Sequence, residues 1–459
     1  KLHVQRILRY AFGAIVVSAS VQLVLLPLLV LYFHRLSFAS LVLNILVGAL
    51  MALLSLVALT ALLLSQLSAW LAAPLFKISE ALNWLMVHSV DPFASAGIAS
   101  VRLPEYTGWP TFIYVLYYVP LVALAVALAR WNPFARTPAI NDERNWRRLS
   151  RPKPAVITLV AMLVLIVAHP FSAGRPDGRL QIDFLDVGQG DAALVTMPDG
   201  TTLLIDAGGR PLFDYTRRGE RDDEGGETFE RDTRSIGEAV VSEYLWWRGL
   251  DRVDYILATH AHADHIDGLN DAARNFSVRA AIVARAPTSN PEFAQFAATA
   301  QKYIVPMRLV GRGDVLRFGE VEAEVLWPPR SENKSATSGN DDSIVLRLRF
   351  GNRVFLLTGD IEKAAETALT NGQDNLRCDV LKIAHHGSKT SSIDAFVKKT
   401  QPAYAIISVG LSSIYGHPHK EVLERWHASG AQILTTGQRG TITFSTDGSD
   451  LKVETFVKQ

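Results

Sequence analysis

The chain has 459 residues, with 46 Lys and Arg against 45 Asp and Glu, 49% hydrophobic residues and a single cysteine. At roughly 100–200 residues per domain, that is two to four domains' worth of chain, ample for a large core. One cysteine, Cys378, excludes an internal disulfide framework and any cysteine-rich zinc or iron–sulfur site. The near-zero net charge hides a split: residues 1–170 hold 13 Lys and Arg against 5 Asp and Glu, and the remainder 33 against 40. Two such halves do not make one soluble globule. The chain opens at Lys1 without a cleavable signal, and reads as the C-terminal portion of something longer.

A bilayer core takes about 20 mainly apolar residues in a helix. Residues 11–33, 41–64 and 111–129 carry no charge, and the last has Tyr114, Tyr117 and Tyr118 near its start, as in an interfacial aromatic belt. Residues 155–170 give a shorter fourth span, with Thr158 alone polar between Val156 and Ala168. Buried helices of a large soluble protein are the bland alternative, and two uncharged runs of more than 20 residues argue against it. Residues 71–88 set Leu75, Ile78, Leu82, Leu85 and Met86 on one helical face, with Lys77, Glu80 and Asn83 off it. That pattern fits an amphipathic helix in the interface, and equally a helix packed on the bundle. Pro27 and Pro120 predict kinks or broken helices. Residues 130–153 hold seven Lys and Arg, which favours the cytoplasm for that segment and the outer face for the domain beyond residue 175. The other Lys and Arg divide almost evenly between the two sides.

From about residue 180 the pattern turns to short strands and tight turns. Strands are expected at 180–187, 192–197, 202–206, 254–258, 280–284, 321–327, 344–350, 353–357, 380–384, 405–409 and 441–445. Helices are expected at 237–248, 291–303, 362–369, 393–399 and 420–429, with a charged exposed loop over 210–234 and a polar loop over 260–267. Two sheets with helices on their outer faces account for this mixture.

The chemistry concentrates in Thr259-His260-Ala261-His262-Ala263-Asp264-His265, directly after a buried strand. Three imidazoles and a carboxylate crowd together at a cost unless they share a cation, and these donors suit zinc or a harder divalent ion. His260 and His262 can grip one ion while Asp264 and His265 turn to a second. A solvated polar loop is the competing reading, and so many ligand types at this spacing argue against it.

This run resembles the His-x-His-x-Asp-His motif of the metallo-β-lactamase superfamily, and the rest of that superfamily's pattern is matched in chain order. Leu204-Ile205-Asp206-Ala207-Gly208-Gly209 matches the strand whose Asp orients the metal loop. Leu356-Leu357-Thr358-Gly359-Asp360 matches the strand ending in the carboxylate that bridges two metals, and Ile383-Ala384-His385-His386-Gly387 the strand-end histidine, with either histidine as the ligand. The resemblance implies an α/β αββα sandwich holding two divalent ions, zinc or manganese. One histidine of the usual pattern is missing, since residues 266–382 contain none. Asn340-Asp341-Asp342-Ser343 stands where it would fall, and oxygen there tilts the site toward a harder ion such as manganese.

Phe184-Leu185-Asp186-Val187-Gly188-Gln189-Gly190-Asp191-Ala192, His385-His386-Gly387-Ser388-Lys389-Thr390-Ser391-Ser392 and Tyr415-Gly416-His417-Pro418-His419 narrow the resemblance to the lactamase-like domain of the ComEC competence family. Those are multi-pass bacterial inner-membrane proteins that carry transforming DNA into the cell. The resemblance implies that residues 1–174 are the last part of a membrane-spanning competence domain, with 175–459 the lactamase-like domain. It implies DNA as partner, one strand being cut while the other passes, together with the lipid bilayer, other competence proteins and further copies of the chain. His260, His262, Asp264, His265, Asp360 and His385 or His386 are the expected metal ligands. His417 is the candidate acid, or else a helix-capping or supporting histidine. Asp191 orients a ligand or closes its turn, Asn340 and Ser343 border the site, and Lys389 meets a phosphate or is a surface lysine. Trp246 and Trp247 stack bases or belong to the core. A transport protein with a non-catalytic lactamase-like domain, or an anchored hydrolase of another phosphodiester, are the competing functions. The acidic balance of the second half argues against tight passive DNA binding, which rests on Lys and Arg.

Overall fold

The apolar runs at the start of the chain form helices, which satisfy every backbone polar group within the segment. The structure, a computed structural model, describes residues 2–96, 99–129, 152–172, 176–209, 235–330, 339–413 and 415–458. It divides into two units, Lys1–Ser172 and Ala173–Gln459. The charged loop expected over 210–234 and nearly all of the basic segment 130–153 lie outside the described residues.

The first unit contains helices Leu2–Phe33, Ala39–Ser65, Ala69–His88, Asp91–Ser95, Phe112–Leu116, Tyr118–Ala129 and Pro152–Ala168. Phe12–Phe33, Ala39–Ser65 and Trp109–Leu128 are long and apolar enough to cross a membrane, and Lys153–Ala168 is a shorter apolar helix. A two-residue strand, β1 (Arg35–Leu36), pairs antiparallel with β2 (Val101–Arg102). The two prolines act differently: one helix continues through its proline, and the other is broken near it. Helix Leu2–Phe33 runs through Pro27 as one element. Pro27 has no N–H for the carbonyl of Leu23, and the Tyr117 hydroxyl donates to that oxygen at 2.7 Å instead. The helix carrying Pro120 is interrupted at Tyr117. Tyr114 and Tyr117 are buried among Leu26, Val30, Tyr106 and Ile166, so they serve helix packing instead of forming an exposed belt. Helix Ala69–His88 packs on the helix before it. Ala72, Leu75, Ser79, Leu82 and Met86 form the sheltered seam, whereas Ile78 and Leu85 of the expected stripe are exposed.

The second unit builds two sheets. One runs β17-β16-β3-β4-β5-β6-β7-β8, from β3 (Leu180–Phe184), β4 (Ala192–Thr196), β5 (Thr202–Ala207), β6 (Arg252–Ala258), β7 (Ser277–Val283), β8 (Met307–Leu309), β16 (Ile442–Thr446) and β17 (Leu451–Thr455). The other runs β15-β14-β13-β12-β11-β10-β9, from β9 (Val315–Phe318), β10 (Val321–Trp327), β11 (Val345–Phe350), β12 (Arg353–Leu357), β13 (Val380–Lys382), β14 (Tyr404–Ile407) and β15 (Gln432–Thr435). Each sheet is antiparallel on one side and parallel on the other: β5 to β8 and β12 to β15 run parallel. Alternation fixes the layers. Leu180, Ile182, Phe184 and Phe444 from one sheet meet Val321, Ala323, Val325 and Phe355 from the other in the interior between the sheets. The opposite faces carry helices. Ile266, Leu269, Phe293 and Phe296 cover Leu204 and Ile256, while Leu369, Phe396, Val422 and Trp426 cover Leu356 and Leu381. The result is the αββα sandwich expected from the sequence.

Three differences have physical causes. The polar loop ends early, because Asp264 and His265 already belong to the first turn of helix Ala263–Asn275, whose Ile266, Leu269 and Ala272 are buried. Strands β8, β9, β15 and β17 are short or have partly exposed side chains, so their alternation is faint. Trp246 is core, 5.3 Å from the Phe276 ring, and only Trp247 is exposed.

Candidate metal centre

The functional side chains come from the C-terminal ends of parallel strands in both sheets. β5 ends in Asp206, β6 leads into Thr259 and His260, β12 leads to Asp360, and β13 leads to His385 and His386. Helix Ala263–Asn275 supplies Asp264 and His265 from its first turn. The Gly188-Gln189-Gly190-Asp191 turn backs this helix start. Gly190 has φ +115°, and a Cβ there would lie 2.1 Å from the Asp264 carbonyl oxygen, so only glycine lets Asp191 reach the centre. The Asp191 N–H donates to that same carbonyl at 3.2 Å. His385 and His386 both have positive φ, 50° and 53°, a strained turn of the kind kept at functional sites.

Asp206 organises the histidine loop. One oxygen accepts the Thr259 N–H at 2.8 Å; the other accepts the Thr259 hydroxyl at 2.7 Å and His265 Nδ1 at 2.9 Å. Because the Thr259 hydroxyl is spent on Asp206, it accepts from His260 Nδ1 at 3.1 Å. His386 Nδ1 donates to the Ser408 carbonyl at 2.9 Å. All three imidazoles thus have Nδ1 held from behind and turn Nε2 inward, as metal-ligating histidines do. His265 Nε2 and His386 Nε2 lie 3.1 and 3.2 Å from the same Asp360 oxygen, Oδ2. His260 Nε2, His386 Nε2 and Asp191 Oδ1 are buried without a hydrogen-bond partner, a cost that a shared cation would remove. His260/His265/Asp360 and Asp264/His265/His386 are two of four overlapping groups whose ligand atoms lie within 4.8 Å of one another. The residues present fit divalent ions.

The electrostatics agree. Burial holds His260 well below its usual value, so it is a neutral donor. Burial opposes charge on His265 too, but Asp360, Asp206 and Asp264 outweigh it and raise this histidine well above its usual value. His386 is raised in the same way against burial, by Asp360 and Asp191. Protons and divalent cations therefore compete for the same two Nε2 atoms. Burial favours the acid form of Asp360, yet His265, His386 and Lys382 keep it well below the carboxylate range. Burial, with His386 and His385 adding to it, pushes His417 down to about 4, so it stands neutral at pH 7.

The centre floors a cleft of about 560 Å³, bordered by Gln189, His262, Asn290, Asn340, His385, Tyr415 and His417. His262 is exposed at the rim, 4.5 Å between ring centres from His260, and outside the groups above. Of the paired histidines, His386 points inward, whereas His385 Nδ1 faces Glu362 at 3.1 Å and Thr390 at 3.2 Å. Asn340 donates to Glu362 at 3.2 Å and leaves its own oxygen buried and unpartnered. The Ser343 hydroxyl accepts the Asp360 N–H at 3.1 Å. Lys389 is exposed and does not border the cleft. Three contributors were not singled out in the sequence: Thr259, Glu362 and Lys382. The last had a signal, a lysine inside the apolar strand run Val380-Leu381-Lys382-Ile383-Ala384. Because Asp206 sets two imidazoles at once, Asp206→Asn is expected to weaken manganese or zinc binding by about 10–100-fold. Equilibrium dialysis with metal analysis measures this.

Residues 185–410 match the family described as metallo-beta-lactamase superfamily, and residues 2–131 match the family described as Competence protein. The second unit is therefore a metallo-β-lactamase fold joined to a competence membrane segment. The chain thus pairs a competence-protein segment with a metallo-β-lactamase domain, and its similar relatives include competence proteins. It is 28% identical over 431 residues to ComE operon protein 3 of Bacillus subtilis, covering 94% of this chain and 51% of that protein. It is 26% identical over 381 residues to competence protein ComA of Neisseria gonorrhoeae, covering 80% and 46%. The chain thus spans about half the length of these curated relatives. Among solved structures it is similar to the metallo-beta-lactamase fold protein YhfI of Bacillus subtilis, at 12% identity, TM-score 0.36, covering 58% of this chain and all of that one.

Proposed function

We propose that this chain serves DNA uptake at a bacterial inner membrane and that its second unit hydrolyses a phosphodiester of the incoming DNA with divalent ions. The carrying observation is the convergence of His260, Asp264, His265, Asp360 and His386, from both sheets, on one cleft. In this reading His260, Asp264, His265, Asp360 and His386 would hold the ions, with His262 and the Asn340 oxygen as further donors at the cleft border. Ions so held would supply Lewis acidity and an activated water at neutral pH.

The chain's own groups do the rest. Asp206, Thr259 and Ser408 fix the imidazoles before substrate arrives, so no reorganisation is needed at reaction. His417 borders the cleft and stands neutral, so it is placed to hydrogen-bond the departing oxygen through a ring N–H instead of delivering a proton to it. Among the described residues bordering the cleft there is no Lys or Arg, which suits one strand held briefly better than a duplex held tightly. The basic segment 130–153 favours the outer face for the hydrolase, and the spanning helices would pass the surviving strand. DNA and the bilayer are its proposed partners, joined by other competence proteins and further copies of the chain.

The test is the full chain in lipid nanodiscs, given single-stranded DNA with manganese or with zinc. Cleavage that Asp264→Asn abolishes is the expected result. A folded, metal-loaded wild type that leaves DNA and model phosphodiesters intact would overturn hydrolysis. The second reading, a non-catalytic lactamase-like unit, is favoured by the exposure of His262 outside the ligand groups. It requires that Asp264→Asn leave DNA uptake unchanged.

A further inference from the structure

Lys382 is the last residue of β13, in the middle of its sheet between β12 and β14. Its side chain is 5% exposed. A buried ammonium is costly unless it is fully partnered. Here Nζ donates to the Gly359 carbonyl at 2.9 Å, contacts Asp360 Oδ1 at 3.3 Å and is paired with Asp191 Oδ2. Asp191, Asp360 and His386 are one of the four groups whose ligand atoms lie within 4.8 Å of one another. The lysine already serves both carboxylates of that group.

The structure assigns Lys382 as a resident cation of the centre, one that turns Asp360 so that Oδ2 alone faces the histidines and gives the site a positive charge beyond that of its ions. This rests on the divalent-ion reading above. Two features make the charge matter. The four groups contain four carboxylates, Asp191, Asp206, Asp264 and Asp360, which would balance two divalent ions and leave nothing to attract an anion. The border of the cleft adds the Glu292 carboxylate and, among the described residues, no Lys or Arg, so without Lys382 the site would repel an anion. The ammonium of Lys382 is then the fixed charge that favours a phosphodiester, an anion, over a neutral ester. The same charge repels the divalent ions. It therefore acts in opposite directions on the two ligands, and a merely structural lysine would not.

The experiment uses the full chain in nanodiscs, manganese alone for ion binding, and bis(p-nitrophenyl) phosphate for turnover. Lys382→Gln keeps a donor for Gly359 and Asp360 while removing the charge; Lys382→Met removes both. With the charge gone at these distances, manganese should bind at least about tenfold more tightly, and KM for the diester should rise at least about tenfold with a smaller change in kcat. Should Lys382→Met fail to fold, Lys382→Gln decides the matter alone. A Gln variant that equals wild type in both measurements overturns the proposal. So does one in which ion and diester binding weaken together, since that pattern belongs to a strut. A wild type that binds neither manganese nor zinc would instead defeat the metal centre itself, and it shows before any variant is compared.

Discussion

Asp360→Asn is expected to lower phosphodiester hydrolysis by roughly a thousandfold or more, about 4 kcal/mol of transition-state stabilisation. The carboxylate is 2% exposed and faces three positive or potentially positive groups: His265 Nε2 at 3.1 Å, His386 Nε2 at 3.2 Å and Lys382 Nζ at 3.3 Å. An amide of the same shape keeps one oxygen, but its NH2 must oppose either the ammonium or the imidazoles. It also carries no charge to share between two ions. The change should cost the apo chain about 3 kcal/mol of stability as well, since it leaves buried cations short of a partner. Initial rates on a diester, metal content and melting temperature test all of this together. A variant within tenfold of wild type, with full metal content, would remove Asp360 from the centre.

Gly268→Ala is expected to destabilise the fold strongly through one added methyl group near the site. Gly268 lies on helix Ala263–Asn275 where it crosses the end of β5. A Cβ there would stand 2.0 Å from the Ala207 carbonyl oxygen and 2.9 Å from the Ala207 side chain. Its N–H also donates to the Gly208 carbonyl at 3.0 Å. None of these backbone atoms can move aside without pulling Asp206, which closes the same strand. The helix must then lift from the sheet, at a cost of about 3 kcal/mol. Asp264 and His265 sit one turn earlier on that helix and would move with it. Loss of metal affinity should therefore accompany the drop in melting temperature. Unchanged melting and metal binding would show the crossing to be looser than its distances imply.

Much of this was legible in the residues because the signals were local. The apolar runs contain no charge to confuse their reading, and the histidine loop, Asp206, Asp360 and the paired histidines each stand at or just beyond the end of a short apolar strand run. What escaped was set by packing. His386 was not separable from His385 in sequence, because the choice depends on a left-handed turn that sends adjacent rings to opposite sides. The helical start at Ala263 was hidden because its first turn is made of ligands instead of apolar residues. Lys382 escaped since one lysine in an apolar strand reads as an edge residue until both neighbouring strands are in place. The membrane tyrosines read as an interfacial belt, yet Tyr117 completes the backbone of Pro27's helix, a partnership across 94 positions.

The two sheets each contribute one half of the ligand set, and neither half closes a site alone. Asp264 and His265 belong to the first sheet's side, Asp360 and His386 to the second, and an ion shared between them would rivet the seam. A chain ending before Asp360 would carry half of the ligand set and no closed site. If the centre holds ions, their chelation should loosen the sandwich at this one edge first.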